Sequence, residues 1–231
     1  MIMPSEIAEE KKPVLPPANS SVCKIVKMII LGLFRLCYRV GVEGLENVPV
    51  DKPVIFVANH QSYLDIPAIG FSLAKINVLN RLYWITGKNT FRNPGLNWFL
   101  RFCPLIVVNG TVRSALAVLD RGYCVNIFPE GYYVFQRYRY KREGKDPDTL
   151  ERKLGNSAAI LALKTGLHVV PIGIRGTEEA LPPFARFPRP VKIFVKIGKP
   201  FRFDPPEPEA VTPEMLQEKS EFIMKHVDAL R

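Results

Sequence analysis

From Val42 onward the chain alternates short apolar runs with stretches of helical period. Six runs read as strands: 54–58 (VIFVA), 82–86 (LYWIT), 105–108 (LIVV), 124–128 (CVNIF), 168–174 (HVVPIGI) and 191–198 (VKIFVKIG). Between them lie helical stretches at 63–73, 95–102, 112–121 and 149–165, and a last helix at 213–230 follows the proline-rich spacer DPPEPEAVTP. Strands alternating with helices predict an α/β fold with a mixed, largely parallel sheet flanked by helices. Residues 131–153 (GYYVFQRYRYKREGKDPDTLERK) are polar and irregular, and predict a long surface loop.

Ahead of this region, residues 22–40 (VCKIVKMIILGLFRLCYRV) have helical period. On a helical wheel Val22, Ile25, Val26, Ile29, Ile30, Leu33, Leu36, Cys37 and Val40 share one arc, with Lys24, Lys27, Arg35 and Arg39 opposite. Each cation would cost roughly 2.5–3.5 kcal/mol at a bilayer centre, so a spanning helix is disfavoured. An amphipathic helix over 22–41, apolar face in the acyl boundary and cations at lipid phosphates, fits better. A helix docked on the core is the plainer alternative; Met28 and Leu31 on the cationic side favour the membrane surface. Residues 1–21 are rich in proline and charge and predict a disordered tail without the apolar run of a signal peptide.

The chain has 231 residues, 47% apolar and 10% aromatic, enough for one domain with a sizeable core. Its net charge of +10 favours anionic partners, here an anionic membrane surface or phosphorylated ligands. No RNP-like aromatic pair, zinc-finger spacing or basic heptad helix supports nucleic acid as a partner. Cys23, Cys37, Cys103 and Cys124 are scattered in apolar surroundings and form no C-x-x-C pair. They read as reduced, structural thiols on the cytoplasmic face, and neither a disulfide framework nor a metal site is indicated.

Two strand ends carry the candidate chemistry. After the apolar run at 53–57 comes ANHQSYLD, with His60 five residues before Asp65. On a regular helix that spacing separates side chains by about 140°. They meet only if His60 stands before the helix and turns back over its first turn. Asp65 would then hold one ring nitrogen and leave the other to accept a proton from a hydroxyl. A capping histidine beside a solvent-facing aspartate is the alternative. The second strand end is Phe128–Pro129–Glu130–Gly131.

With NHQSYLD and FPEG in this order, the chain resembles the glycerolipid acyltransferase family of the PlsC type, whose best-known members acylate 1-acylglycerol 3-phosphate. The family's N-H-x-x-x-x-D motif matches Asn59, His60 and Asp65, and its F-P-E-G motif matches Phe128, Pro129, Glu130 and Gly131. Its V-P-V/I run matches Val170, Pro171 and Ile172, and its second motif resembles GKNTFRNPGLNWFLRFCPLIVV, with Lys88 and Gly95 in matching places. The resemblance spans about 42–198 and makes 42–231 an acyltransferase domain.

The resemblance implies that His60, oriented by Asp65, acts as general base on a lysolipid hydroxyl, which attacks the thioester of acyl-CoA or an acylated carrier protein. No cofactor or metal is expected, and backbone N–H groups just after Asn59 are candidate oxyanion donors. Asn59, Lys88, Glu130, Gly131 and Pro171 are expected to bind substrate. The aromatic run FRNPGLNWFLRF suits a membrane interface or the mouth of an acyl tunnel, and equally a plain core helix.

Two departures bear on the acceptor. Tyr132 and Tyr133 stand where the family has Thr-Arg, and Asn109 stands near a second motif arginine. Guanidinium groups fork onto phosphate oxygens, so these losses open the acceptor to other lysolipids. Arg137 and Arg139, with Lys141, Arg142 and Arg113, either compensate or form a solvated run. 1-Acylglycerol 3-phosphate is the leading acceptor; the alternatives are another lysolipid head group or a non-catalytic membrane-binding protein on the same fold.

Overall fold

The computed structural model describes residues 21–85, 112–183, 185, 187–207 and 210–231. Six strands form one sheet in the order β1-β6-β5-β2-β4-β3: β1 (Arg39–Glu43), β2 (Ile55–Ala58), β3 (Leu82–Trp84), β4 (Cys124–Ile127), β5 (Val169–Arg175) and β6 (Lys192–Ile197). Neighbours are parallel everywhere except between β5 and β6. The mixed, largely parallel sheet expected from the sequence is therefore present. The expected strand at 105–108, the helix at 95–102, Lys88, Gly95, Asn109 and the tail over 1–20 lie outside the described residues.

The sheet is buried on both faces, and the two-residue period of a strand decides which core each side chain enters. In β2, Phe56 and Ala58 join a cluster covered by α2 (Asp65–Ala74) through Ala68, Ile69 and Leu73. Ile55 and Val57 join the opposite cluster. There they meet α3 (Val112–Leu119), α5 (Ser157–Thr165) and α7 (Pro213–Asp228) through Val118, Leu161 and Ile223. Thr212 caps α7 by accepting from Met215 N–H at 3.2 Å, with Pro213 opening the helix where no amide donor is needed.

Three expectations change. The first helix, α1, spans Ser21–Cys37, and Arg39–Glu43 becomes an edge strand paired with Lys192–Lys196. Sheet pairing there overrides a helical period that runs on to Val40. The expected long loop contains a ten-residue helix, α4 (Tyr133–Arg142). It buries only Phe135, so it lacks an apolar stripe, and pairs such as Arg139–Glu143 (2.8 Å) support it instead. Finally, the helix expected over 149–165 begins at Ser157, because Leu150–Asn156 is drawn out along the turn after β4, with Gly155 N–H on Pro129 C=O at 2.8 Å.

The last turns of α1 dock on the domain: Phe34 and Tyr38 are buried, and Phe34 lies 6.1 Å from the Phe71 ring of α2. Ile25, Met28, Ile29 and Leu36 are exposed. Cys37 is exposed as well, against the expectation of apolar surroundings for every thiol, whereas Cys124 is buried and its thiol is pushed up by that burial. Among the described residues no helix is long and apolar enough to cross a membrane.

Candidate active site

The carboxyl ends of β2, β4 and β5 converge on the turn Asn59–Leu64. Where the β2 ladder stops, the Asn59 amide continues it. Its nitrogen donates to Ile174 C=O at 2.9 Å and its oxygen accepts from Ile174 N–H at 2.8 Å. Asn59 is fully buried with both ends of its amide engaged, so it fixes the turn to β5.

His60 stands before α2 and Asp65 is the first residue of that helix. The ring turns back, and His60 Nδ1 lies 2.9 Å from Asp65 Oδ2. The same oxygen accepts from Gln61 N–H (2.6 Å) and Ser62 N–H (2.9 Å), and Oδ1 accepts from the Thr177 hydroxyl at 2.5 Å. Asp65 is fully buried, so four donors replace the water it has lost. With Nδ1 fixed on the carboxylate, His60 Nε2 has no partner among the described residues, and the side chain is 15% exposed. The alternative of a solvent-facing aspartate is excluded.

Aromatic rings hold the imidazole from the side. Phe128 stacks on it with centroids 4.3 Å apart at 22°, and Phe135 approaches at 5.2 Å. Tyr63 and Tyr132 both lie against Phe135 (4.9 and 5.2 Å), and each is about half exposed, which gives the site an aromatic rim. Burial, and then Tyr132, push the Tyr63 phenol up.

The turn after β4 fixes the main chain of His60. Glu130 Oε2 accepts His60 N–H at 3.0 Å, and Gly131 adopts φ 52°, a left-handed conformation that suits glycine. Glu130 Oε1 pairs with Arg152 Nη2 at 2.9 Å, and Arg152 also forks onto Asp228 of α7 at 2.8 and 3.2 Å. Burial alone would lower the Arg152 guanidinium; the Asp228 hydrogen bond and the Glu130 charge outweigh it and hold it above its usual value. One consequence overturns an expectation. The N–H groups of His60, Gln61 and Ser62 are already engaged by Glu130 and Asp65, so they are not available to a developing oxyanion.

The other expected residues fall as follows. Pro171 is an interior position of β5 opposite Val57, with its carbonyl accepting Gly198 N–H at 2.9 Å. Arg137 binds Asp148 at 2.6 Å and the Tyr133 hydroxyl at 3.3 Å, while Arg139 binds Glu143 at 2.8 Å. Lys145 and then Arg139 hold the Glu143 carboxyl down at about 2. Arg137 and Arg139 thus each face a carboxylate of their own segment. Sequence reasoning missed Thr177, Arg152 and Asp228. Thr177 opens the short helix α6 (Thr177–Ala180), two residues past the end of β5, and a search of strand carboxyl ends for polar side chains would have found it.

A buried carboxylate, a histidine whose second nitrogen has no partner among the described residues and an open aromatic rim make an arrangement on an α/β sheet that can do general-base chemistry. The acyltransferase family model matches residues 39–175, and the chain belongs to that family. A chloroplastic 1-acyl-sn-glycerol-3-phosphate acyltransferase of Arabidopsis thaliana is 30% identical over 154 residues, covering 63% of this chain and 38% of the relative. One from Borreliella burgdorferi is 27% identical over 159 residues, covering 65% and 57%. The crystal structure of the 1-acyl-sn-glycerophosphate acyltransferase PlsC from Thermotoga maritima superposes with a TM-score of 0.61 at 28% identity, covering 90% of this chain and 80% of that one. The chain spans about two fifths of the length of the chloroplastic relative.

Proposed function

We propose that this protein transfers a fatty acyl group from a thioester, acyl-CoA or acylated carrier protein, to the free hydroxyl of 1-acylglycerol 3-phosphate. The observation that carries the proposal is the 2.9 Å contact between His60 Nδ1 and a fully buried Asp65, which leaves Nε2 open at the aromatic rim. Nε2 takes the proton of the acceptor hydroxyl as its oxygen attacks the thioester carbonyl. Asp65 stabilises the imidazolium, and the C–S bond then breaks. The proton passes to the leaving thiolate, so His60 ends neutral and the products are an ester and a thiol. General-base assistance of this kind supplies about 10²–10⁴-fold.

Tyr133 in the motif arginine's place supports a second acceptor reading, a lysolipid with another head group. Its hydroxyl donates to Leu150 C=O (3.3 Å) and accepts from Arg137. Purified protein, a labelled acyl-thioester and a panel of lysolipids decide between them. Transfer to lysophosphatidate that is lost in His60→Ala supports the first reading; transfer to a different lysolipid only would replace it. No transfer to any acceptor would favour a membrane-binding protein.

Membrane contact is proposed through α1, whose exposed Ile25, Met28, Ile29 and Leu36 stand beside exposed Lys24 and Arg35. The triple substitution Met28→Ser, Ile29→Ser, Leu36→Ser, which leaves Phe34 and Tyr38 in place, should abolish flotation with vesicles containing anionic lipid. Unchanged flotation would rule out this face as the contact.

A further inference from the structure

We infer that Arg152 is a positioning residue for the base, acting through Glu130, and that α7 is the support it leans on. This rests on the reading of His60 as the base.

The geometry is a relay across three distant parts of the chain. Glu130, almost fully buried, holds the main chain of His60 through one oxygen (3.0 Å) and Arg152 through the other (2.9 Å). Arg152 shares Nη2 between Glu130 and Asp228 and adds Nη1 to Asp228, and Arg231 Nη1 in turn lies 3.3 Å from Asp228 Oδ1. A guanidinium is a planar plate with donors in fixed directions, so two carboxylates on two of its edges set its position. Its Nε is buried without a partner among the described residues, so there those two carboxylates are its anchors.

The same helix reaches the turn a second way. With its amide nitrogen towards Glu178 at 2.9 Å, Gln61 places its oxygen on Arg231. Asp65 therefore fixes the ring of His60, while Glu130, backed by Arg152 and the end of α7, fixes its main chain. Both are needed to hold Nε2 at one place over the rim. Without Arg152, Glu130 would be a buried carboxylate with a single N–H donor and nothing on its other oxygen, free to leave the turn.

Arg152 does not serve as an acceptor phosphate site on this arrangement, because its charge already faces two carboxylates. That separates a positioning role from a binding role in kinetics. Arg152→Met should lower kcat about tenfold or more with KM for both substrates within about twofold. Arg152→Lys, which keeps a cation at Glu130 but loses the fork, should recover part of the loss.

The deciding experiment is hydrogen exchange read at single amides in wild type, Arg152→Met, Glu130→Gln and the double variant. Weakening one charge-assisted bond corresponds to roughly 10- to 100-fold faster opening. Exchange at the His60 amide should rise by that much in each single variant and no further in the double, while Ile55–Ala58 stays unchanged. Exchange at His60 that stays at the wild-type value in Arg152→Met overturns the inference, and so does an equal rise throughout β2. Additive effects in the double variant, or a KM effect on the acceptor with kcat intact, overturn it too. The exchange arm does not depend on turnover. If no lysolipid is acylated, the functional reading fails while the positioning of His60 is still decided.

Discussion

Asp65 is held in part by a hydroxyl 112 positions further along the chain. Thr177 Oγ1 donates to Asp65 Oδ1 at 2.5 Å, at the short end for a hydroxyl on a carboxylate, and both residues are fully buried. Thr177→Val keeps the shape and removes the donor. Oδ1 then has no partner among the described residues, whereas Oδ2 keeps three. Loss of a hydrogen bond to a buried charged group costs about 1.5–3 kcal/mol. For a chain of this size, each kcal/mol lowers Tm by roughly 2–4 °C, so the expected fall is about 3–12 °C. The carboxylate would also gain freedom to rotate about its side chain, and a misplaced base costs up to about 10² in rate, so kcat should fall 10- to 100-fold. Thermal unfolding and initial rates, run with Thr177→Ser as the control that keeps the hydroxyl, measure both. A Thr177→Val protein within about 0.5 kcal/mol of wild type would refute the reasoning, leaving Gln61 and Ser62 as sufficient holders of Asp65.

Three further outcomes follow from the geometry. Asp65→Asn should keep the fold but lower kcat by about 10²–10⁴, because the amide no longer stabilises an imidazolium; a loss confined to KM in steady-state assays would contradict this. Gly173→Ala should destabilise by about 1–3 kcal/mol in urea unfolding, since its Cβ would lie 2.6 Å from the Leu230 backbone, and a neutral result would mean that the end of α7 yields freely. Burial would raise the Asp228 carboxyl, but Arg152 and then Arg231 outweigh it and hold it below its ordinary value. A depressed carboxylate contributes stability that is full above its unfolded-state value and is lost as pH falls through the folded one. The stability gap between wild type and Asp228→Asn should therefore be widest near neutrality and close in acid, and a gap independent of pH would show that the charge is not responsible.

Much of this was written locally. The buried strands announced themselves as short apolar runs, and β2, β4 and β5 ended where ligand sites form in such sheets. The ring of His60 could be aimed at Asp65 from spacing alone, once His60 was set before the helix. What sequence did not yield was decided by partners far along the chain. Arg39–Glu43 is a strand because Lys192–Lys196 lies beside it, although its own residues continue a helical period. Tyr133–Arg142 is a helix without an apolar stripe. Asn59 entered as part of the family motif, and nothing local showed that its amide completes the sheet at Ile174. Arg152 sat in a charged run indistinguishable from a solvated one, and only its two distant carboxylates give it a task.

The contacts that complete the site join residues 70, 76, 112 and 115 positions apart. Large loops must close before such bonds repay the ordering, so they belong to the slow, non-local part of folding. A chain emerging from synthesis makes β2, and His60 with it, well before Thr177 and Asp228 exist. The contacts that hold His60 and Asp65 are thus completed last, when α7 docks. In a refolding experiment, recovery of helical and sheet signal should run ahead of recovery of activity, and the lag between them times the arrival of that helix.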